Sequence, residues 1–314
     1  MRRSLPWPLI LITVAACGAR TALLVTEPLD GSVPDSGPDA RRDGGRDGDA
    51  ELDALDDIPT IDTTKPDVPT PNDCPDADST VVYLIASSND LMSFFPPSLQ
   101  FKTIGKINCP NVGNNTPFSM GVDRKGSAFV VFTNGNLYRV STLTAACSLT
   151  AFKANPMNGF ADFGMGFAGD NMGESLYVAG SGTPSAGLAT IDTLTNFAFA
   201  FIAQFNPTLD RTELTGTGDG RLFGWSPNSM GSGSRLAQID RTNAKILGVN
   251  KLQIGTPNDA FAFAFWGGDF WIFTSQGGPT TVTKYDPVSL KESTATSTNV
   301  QIVGAGVSTC APSQ

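Results

Sequence analysis

One stretch of the sequence sets out the repeating unit of the fold: residues 214–248, LTGTGDGRLFGWSPNSMGSGSRLAQIDRTNAKILG. It holds a short glycine-bearing run, an apolar run at Leu222–Trp225, an alternating run that ends at Asp240, and a weaker run at 245–248. Turn-forming residues separate the runs. Short apolar or alternating runs between such turns are typical of β-strands. The stretch therefore predicts four consecutive strands.

The same order of runs recurs through the C-terminal part of the chain. Glycine-bearing runs lie about 45 residues apart, a spacing typical of repeat architectures; they begin at Ser119, Gly164, Leu214, Phe265 and Ile302. Apolar second runs and alternating third runs follow most of them, at residues 128–131, 176–179, 222–225 and 270–273, and at 137–140, 188–192, 236–240 and 282–286. Asn134-Gly135 joins two of these runs and predicts a type I′ hairpin.

The two ends of this region supply complementary parts of one further unit. Residues 81–108 predict three strands, at 81–85, 91–95 and 101–107, without a glycine-bearing first strand. Residues 302–307 supply such a first strand alone. Together they make a fifth unit, which would close a ring and remove open sheet edges.

Four short strands per repeat resemble the blade of a β-propeller. The Leu-Tyr-x-Val and Leu-x-x-Ile-Asp-x-x-Thr strings, at 137–140 and 188–195, resemble the third strand and outer turn of many secreted bacterial propellers. The resemblance implies an all-β, five-bladed β-propeller over residues 80–314, closed by N- and C-terminal strands. A β-sandwich or an incomplete solenoid is the alternative.

The first residues have the pattern of an N-terminal export signal. Arg2 and Arg3 precede an apolar run that ends Val14-Ala15-Ala16-Cys17, and the run is too short to span a bilayer permanently. It resembles the lipobox of bacterial lipoproteins, which implies a signal peptide at 1–16, lipidation of Cys17 and, because Gly18 follows, an outer-membrane location. Several acyl chains provide stable anchoring. The alternative is an ordinary secretory signal.

Residues 17–79 predict a disordered acidic tether. Residues 27–79 carry 16 acidic and four basic residues, a net charge of −12, and no aromatic residue. Such a segment buries too little apolar surface to offset its ordering entropy. We therefore expect nothing within 30–70 to pack on the domain. The Asp-Gly steps lack the order of an EF-hand loop, so a solvated spacer is the better interpretation.

Composition excludes several classes of function. The chain has no histidine, so Ser-His-Asp and Cys-His catalysis and His-ligated metals are excluded. Residues 80–314 carry 14 acidic and 14 basic residues with no basic stripe, so no nucleic-acid partner is expected. Asp and Glu chemistry remains possible, but no pair of carboxylates is identifiable for acid–base work, and no catalytic residue is predicted.

The cysteines other than Cys17 predict two disulfides, because an even number in an exported chain is typical of paired thiols. In the propeller alignment, Cys109 and Cys147 lie on the outer rims of neighbouring blades, while Cys74 and Cys310 flank the ring closure. We predict the pairs Cys109–Cys147 and Cys74–Cys310. The spacing offers no metal site.

Two glycine and aspartate patterns carry competing interpretations. Residues 164–169 match G-x-G-x-x-G, but they lie within a predicted strand rather than between a strand and a helix, so close packing is favoured over dinucleotide binding. The turns after the first strands carry aspartates that would share one face of the ring: Asp123, Asp170, Asp219 and Asp269. Capping of their own turns is the favoured role. A divalent cation such as calcium stays an open alternative, and no cofactor is predicted.

The opposite face consists of the loops that join each fourth strand to the next first strand. They are rich in amides with some aromatic and acidic residues, which suit recognition of a peptide or a carbohydrate: Asn114, Asn115, Asn158, Phe160, Asn206, Asn258 and Asp259. We therefore predict a monomeric, envelope-anchored propeller that binds an envelope protein or a glycan without catalysis. A propeller-fold hydrolase or lactonase, and a purely structural surface lipoprotein, are the alternatives.

Overall fold

The computed structural model describes residues 55, 58–61, 80–170, 173–228, 233–255 and 259–313. Their strands form five antiparallel sheets of four strands each. Four of the sheets pair their strands in simple meander order, because short turns join neighbouring strands along the chain, and the fifth combines strands from both ends of the domain. This strand order confirms the predicted all-β, five-bladed propeller.

The first two blades contain eight strands. From the axis outward, blade 1 consists of β20 (Ile302–Gly306), β1 (Val82–Ala86), β2 (Asp90–Phe95) and β3 (Gln100–Lys106), with a 3-10 turn at Pro96–Ser98. Blade 2 consists of β4 (Pro117–Val122), β5 (Ser127–Phe132), β6 (Leu137–Ser141) and β7 (Cys147–Leu149).

The other three blades follow in chain order. Blade 3 consists of β8 (Phe163–Asp170), β9 (Gly173–Gly180), β10 (Leu188–Ile191) and β11 (Phe199–Ala203). Blade 4 consists of β12 (Glu213–Gly216), β13 (Leu222–Pro227), β14 (Ser234–Ile239) and β15 (Ile246–Leu252). Blade 5 consists of β16 (Ala260–Trp266), β17 (Asp269–Ser275), β18 (Thr280–Asp286) and β19 (Lys291–Thr298), and β20 (Ile302–Gly306) returns to blade 1.

Ring closure joins the two ends of the domain within one sheet. β20 pairs with β1 in antiparallel register, with Tyr83 opposite Gly306 and Ile85 opposite Gly304. The predicted fifth unit made from both chain ends is therefore confirmed. Pairing with β20 covers the edge of β1 that would otherwise be unpaired.

Small residues let the inner strands approach one another closely. A Cβ on Gly164 would lie 2.1 Å from the carbonyl oxygen of Thr212, and one on Gly216 would lie 2.3 Å from that of Phe167. Any larger side chain would force β8 and β12 apart. The interpretation of residues 164–169 as packing glycines rather than a nucleotide loop agrees with this geometry, since all of them belong to β8.

The turn between the third and fourth strands repeats in all five blades. Each contains one non-glycine residue in the left-handed region, with φ between 56° and 59°: Leu99, Ala145, Phe197, Ala244 and Leu290.

The hairpin at Asn134-Gly135 differs from the prediction. Only Gly135 has a positive φ, 78°, whereas a type I′ turn needs two such residues. In blade 5 the strand occupies Ala260–Trp266, so Gly267 and Gly268 form the following turn rather than the inner strand.

Apolar side chains fill the spaces between adjacent blades. Between blades 4 and 5, Phe223 meets Phe270 edge-on with ring centroids 5.0 Å apart, and Trp225 meets Phe261 edge-on at 5.1 Å. Each such ring removes a large apolar area from water. A blade has apolar residues on both faces, so it can bury them only against its two neighbours.

One predicted disulfide is confirmed. Cys109 follows β3 and Cys147 begins β7, and their sulfurs are bonded across the rims of blades 1 and 2. Cys310 is likewise disulfide-bonded. Its predicted partner, Cys74, lies outside the described residues, so the second pairing stays a prediction.

A segment that precedes the first blade packs on blade 4, contrary to the expectation that nothing within 30–70 would pack. Leu55 and Ile61 are buried, with exposed fractions of 4% and 7%. Pro59 accepts a backbone hydrogen bond from Val249 at 2.9 Å, and Ile61 donates its N–H to the amide oxygen of Asn250 at 3.2 Å. The acidic average of the tether conceals these aliphatic residues, which extend the outer edge of β15.

Within the described residues, no helix is long and apolar enough to cross a bilayer. The predicted signal peptide and Cys17 lie outside those residues, as does most of the predicted tether.

Candidate functional site

The axis of the ring has two chemically different ends. The inner strands run in the same direction, since Gly164 at the start of β8 lies against Thr212 before β12, and Gly169 near its end lies against Gly218. We call the end at which these strands begin the upper end, and the end at which they finish the lower end. Loops from fourth to first strands reach the upper end.

The lower end is sealed by the segment that follows β20. The Arg124 Nε donates to the hydroxyl of Thr309 at 2.7 Å, and that hydroxyl donates to Glu174 Oε2 at 2.8 Å. The backbone N–H of Arg124 also donates to Glu174, at 2.7 Å. Gly267 donates its N–H to the carbonyl of Pro312. Since these groups belong to blades 2, 3 and 5 and to the C-terminal segment, the segment crosses beneath the axis.

Hydroxyl groups satisfy the inner edges of the strands midway along the axis. The Ser119 Oγ accepts a hydrogen bond from the N–H of Met165 at 3.2 Å. The Thr215 Oγ1 accepts one from the N–H of Phe265 at 3.1 Å. A buried backbone N–H without a hydrogen-bond partner lowers the stability of the fold, and an innermost strand has no further strand to pair with. Serine and threonine therefore complete the hydrogen bonding of the ring.

A buried carboxyl group lies above these hydroxyls. Glu213, the first residue of β12, is 2% exposed, and the hydroxyl of Ser119 donates to its Oε2 at 2.7 Å. Burial raises the pKa of Glu213 to about 8, against the lowering effects of Ser119 and Arg211. The negative charge of Asp162 raises it further. Glu213 is therefore protonated at neutral pH.

Arg211 lies at the upper end, two residues before Glu213. Its Cζ is 4.4 Å from the ring centroid of Phe118 in blade 2 and 4.9 Å from that of Phe261 in blade 5. The guanidinium group is thus held between two aromatic rings, an arrangement that stabilises a cation. The Nε is shielded from solvent and has no hydrogen-bond partner among the described residues. The side chain as a whole keeps part of its surface in solvent.

The aspartates at the lower turns mostly serve their own hairpins, as favoured by the sequence. Asp123 accepts hydrogen bonds from the N–H groups of Lys125 and Ser127, and burial raises its pKa. Asp219 accepts from the Arg221 Nε at 3.0 Å. Asp269 instead forms an ion pair, because its carboxylate lies 2.6 Å from the Lys284 ammonium. Among the described residues, no three acidic or cysteine side chains are grouped to hold a metal ion.

The predicted ligand-binding residues differ in their exposure and in their hydrogen bonds. Asn114, Asn158 and Asp259 are exposed, and Asn115 donates its amide to the carbonyl of Val112 at 2.7 Å. Asn115 also accepts from Thr133, and Asp259 accepts from the N–H of Gly277. Since Thr133 and Gly277 belong to turns between second and third strands, which also reach the upper end, these residues lie on the predicted face.

Two of the predicted residues do not support a ligand site in this form, and a third is not among the described residues. Phe160 is fully buried and packs edge-on against Phe199, so its ring is unavailable to a ligand. Asn206 is exposed, but its backbone bonds to Ala244 and Ile246 tie the linker to the start of β15 on the rim. Asn258 lies outside the described residues.

A concavity of about 600 Å³ lies at the outer rim between blades 4 and 5. Threonine side chains of β17, β18 and β19 line it together with Gln253 and Glu292. Glu292 accepts the N–H groups of Gln253 and Ile254, at 2.6 and 3.0 Å. These bonds join the end of β15 to β19, so the carboxylate serves the contact between blades.

Sequence reasoning missed the residues at the centre of the upper end: Phe118, Ser119, Arg211, Glu213 and Phe261. A signal for two of them was present. Arg211, Glu213, Thr215 and Thr217 alternate with apolar or small residues, which places four polar side chains on one side of an inner strand. A buried face carrying arginine and glutamate contradicts ordinary core packing.

Comparisons with known proteins give similarity without a family. No protein-family model matches the chain, and no curated protein does either. A structure of a nidogen/laminin complex matches at 12% identity and a TM-score of 0.48, covering 75% of this chain and 99% of that one. TolB from Acinetobacter baumannii matches at 13% identity and 0.40, covering 72% and 66%. A protein of unknown function from Bacteroides thetaiotaomicron matches at 13% and 0.44, covering 62% and 54%. The assignment of five blades rests on the strand order described above.

Proposed function

We propose that this chain is an exported propeller, anchored to the cell envelope through Cys17, which binds a protein partner on its upper face without catalysing a reaction. The observation that carries the proposal is the state of Arg211. A cation fixed between two rings at the upper end of the axis, partly exposed to solvent and with no hydrogen-bond acceptor among the described residues, is a ready contact for another molecule.

The two faces support binding at the upper end rather than the lower one. The C-terminal segment covers the lower end and satisfies Arg124 and Glu174. The upper face retains Arg211 and the exposed side chains of Asn114 and Asn158. Arginine is enriched at the centres of protein interfaces, and amides suit a polar rim.

The structure favours a protein partner over a glycan or a substrate. The aromatic ring that would suit a sugar, Phe160, is buried in the core. Glu213 is covered and hydrogen-bonded to Ser119, so it lacks the access to solvent that a general acid on a substrate requires. The bond between Cys109 and Cys147 supports export to an oxidising compartment.

Site-specific photocrosslinking in the native envelope tests the binding face. Asn114 and Asn158 are replaced in turn by p-benzoylphenylalanine, with Leu143 and Val288 as matched controls. The controls are 85% and 76% exposed on turns between third and fourth strands. We expect one discrete protein adduct from the upper positions and none from the controls. Equal adducts from all four positions, or none from the upper pair, would overturn the proposal.

The anchor is tested separately by Cys17→Ala. We expect the variant to leave the membrane fraction, because removal of the lipidated cysteine removes the acyl chains that hold the protein there. Membrane partitioning identical to that of the unaltered protein would contradict lipidation at Cys17 and leave the crosslinking result unaffected.

A further inference from the structure

We infer that Arg211 recognises a carboxylate group on the ligand of the upper face, through the planar edge of its guanidinium group. This inference rests on the proposed binding function, and it names the chemical group that the centre of the site accepts. The argument comes from hydrogen bonding, from the two aromatic rings and from the charges around them.

Arg211 differs from the other arginines of the described residues. Each of the other five donates at least one side-chain hydrogen bond: Arg124 to Thr309, Arg139 to Thr193, Arg221 to Asp219, Arg235 to Asn228 and Arg241 to Gly169. Within the same part of the chain, no acceptor receives a hydrogen bond from Arg211. A guanidinium group has five N–H donors, and in Arg211 none of them has an acceptor among the described residues. The missing acceptor is best supplied from outside the domain.

The rings determine the shape of that acceptor. Phe118 and Phe261 cover Arg211 from two blades, and Trp225 packs edge-on behind Phe261 at 5.1 Å. Because the faces of the guanidinium group lie against rings, a ligand must approach its edge. A planar carboxylate matches that edge with two parallel hydrogen bonds.

The charges favour a monoanion over a phosphate. Among the groups that act most strongly on Glu213, Arg211 is the one base and Asp162 the one acid. A single guanidinium group balances one negative charge, whereas a phosphate carries nearly two at neutral pH. The site therefore suits a carboxylate from a peptide or from an acidic sugar, and the proposed protein partner would supply the former.

The protonation of Glu213 controls the availability of Arg211. The carboxyl of Glu213 faces Arg211, Asp162, the Ser119 hydroxyl and the N–H of Met165. Burial raises its pKa to about 8, so at neutral pH Glu213 adds no negative charge beside Arg211. Above that pH the Glu213 carboxylate competes with the ligand for Arg211. Carboxylate binding should therefore weaken as the pH rises from 7 to 9.

An NMR titration of the full chain labelled with 15N-arginine tests the inference directly. The Nε–H resonance of Arg211 is assigned by its loss in Arg211→Lys. N-acetylglycine represents a peptide carboxylate, glucuronate an acidic sugar, inorganic phosphate a dianion, and N-acetylglycinamide a neutral match. We expect saturable shifts with a dissociation constant in the millimolar range for N-acetylglycine. Weaker shifts are expected for glucuronate and phosphate, and none for the amide.

Two variants sharpen the result. Arg211→Lys retains the charge but loses the planar edge, so its affinity for N-acetylglycine, followed by the shifts of neighbouring amides, should fall about tenfold or more. Glu213→Gln should bind equally well at pH 7 and pH 9, while the unaltered protein weakens over that interval. Unchanged thermal melting of both variants at pH 7, or a higher melting temperature for Glu213→Gln, confirms that the domain is folded.

The outcomes separate this inference from the proposed function. An Arg211 resonance that no carboxylate moves, or that phosphate moves at lower concentration, overturns the inference, and the protein adduct at Asn158 would still stand on its own. A carboxylate-dependent shift without any protein adduct supports the inference and contradicts the proposed partner. Tighter binding of glucuronate than of N-acetylglycine likewise supports the carboxylate and contradicts the protein partner.

Discussion

Two arginines occupy opposite ends of the same axis, and their surroundings differ completely. Arg124 at the lower end donates to Thr309 and lies 3.9 Å from the carboxylate of Glu174. Arg211 at the upper end has aromatic rings on two sides and no hydrogen bond to any described residue. Arg124 joins the C-terminal segment to the blades, whereas Arg211 has hydrogen-bond donors without an acceptor among the described residues.

The difference teaches that burial of a charge does not by itself indicate function. The side chains of Arg124 and Glu174 are only 11% and 14% exposed, yet they satisfy each other and the C-terminal segment. Such a cluster stabilises a fold or fixes its ends. A group that is fixed in place but chemically unsatisfied is better evidence for a ligand site.

The largest expected effect is at the sealed end. Arg124→Met should lower the free energy of unfolding by about 3–4 kcal/mol at pH 8, because it leaves the Glu174 carboxylate without its cation. Burial already raises the pKa of Glu174, and Arg124 acts to lower it. Loss of Arg124 raises that pKa further, so the destabilisation should be smaller at pH 5, where the carboxyl can bind a proton. Urea unfolding at both pH values measures it, and a pH-independent loss would contradict this account.

The next effect lies between the two ends, at Glu213. Its pKa in the folded chain is about 8 against 4.5 in its ordinary state. Unfolding therefore releases a proton between these values, so the contribution of Glu213 to stability is full below pH 4.5 and is lost as the pH rises to 8. Glu213→Gln stays neutral throughout. At pH 7 it should be about 3 kcal/mol more stable than the unaltered chain, with a smaller gain at pH 5.

Paired urea titrations of the unaltered chain and Glu213→Gln isolate this group, since other carboxyls titrate in both. A constant difference across the pH range would show that Glu213 ionises normally, and Arg211 would then have an internal counterion.

A smaller effect on the rim of blade 4 provides a reference away from the axis. Ile61→Ala should cost about 2 kcal/mol, because the side chain is 7% exposed and packs with the cluster that contains Trp225 and Phe261. Leu149→Ala is the matched control, since Leu149 is 44% exposed on β7 and should change stability little. Equal stability of both variants in urea unfolding would show that the segment around Ile61 does not stabilise the blade.

The sequence predicted what repetition makes visible. Strand runs and hairpin turns recur from blade to blade, so each repeat checks the others, and both the split unit and the Cys109–Cys147 pair followed from that alignment. The contacts of Arg211 could not be predicted in this way. They depend on Phe118 and Phe261, which lie on blades 2 and 5 and come together only when the ring closes.

Predictions from local composition were wrong where a few residues decide whether a segment packs. The tether is acidic on average, but Leu55 and Ile61 need only one complementary edge on β15 to be buried. Phe160 follows turn residues typical of an exposed loop, yet its ring enters the core of blade 3 beside Phe199. In both cases tertiary packing outweighed the surrounding sequence.

The smallest expected effect on stability is at the open end, and it makes the comparison decisive. Arg211→Met should change the free energy of unfolding by at most about 1 kcal/mol, because methionine keeps contact with the two rings and no hydrogen bond is lost. Urea unfolding beside Arg124→Met measures the contrast between the two arginines. A loss as large as that of Arg124→Met would mean that the stacked cation is a structural part of the ring. Stability near that of the unaltered chain, together with loss of the N-acetylglycine response, is the result expected of a residue that serves a ligand.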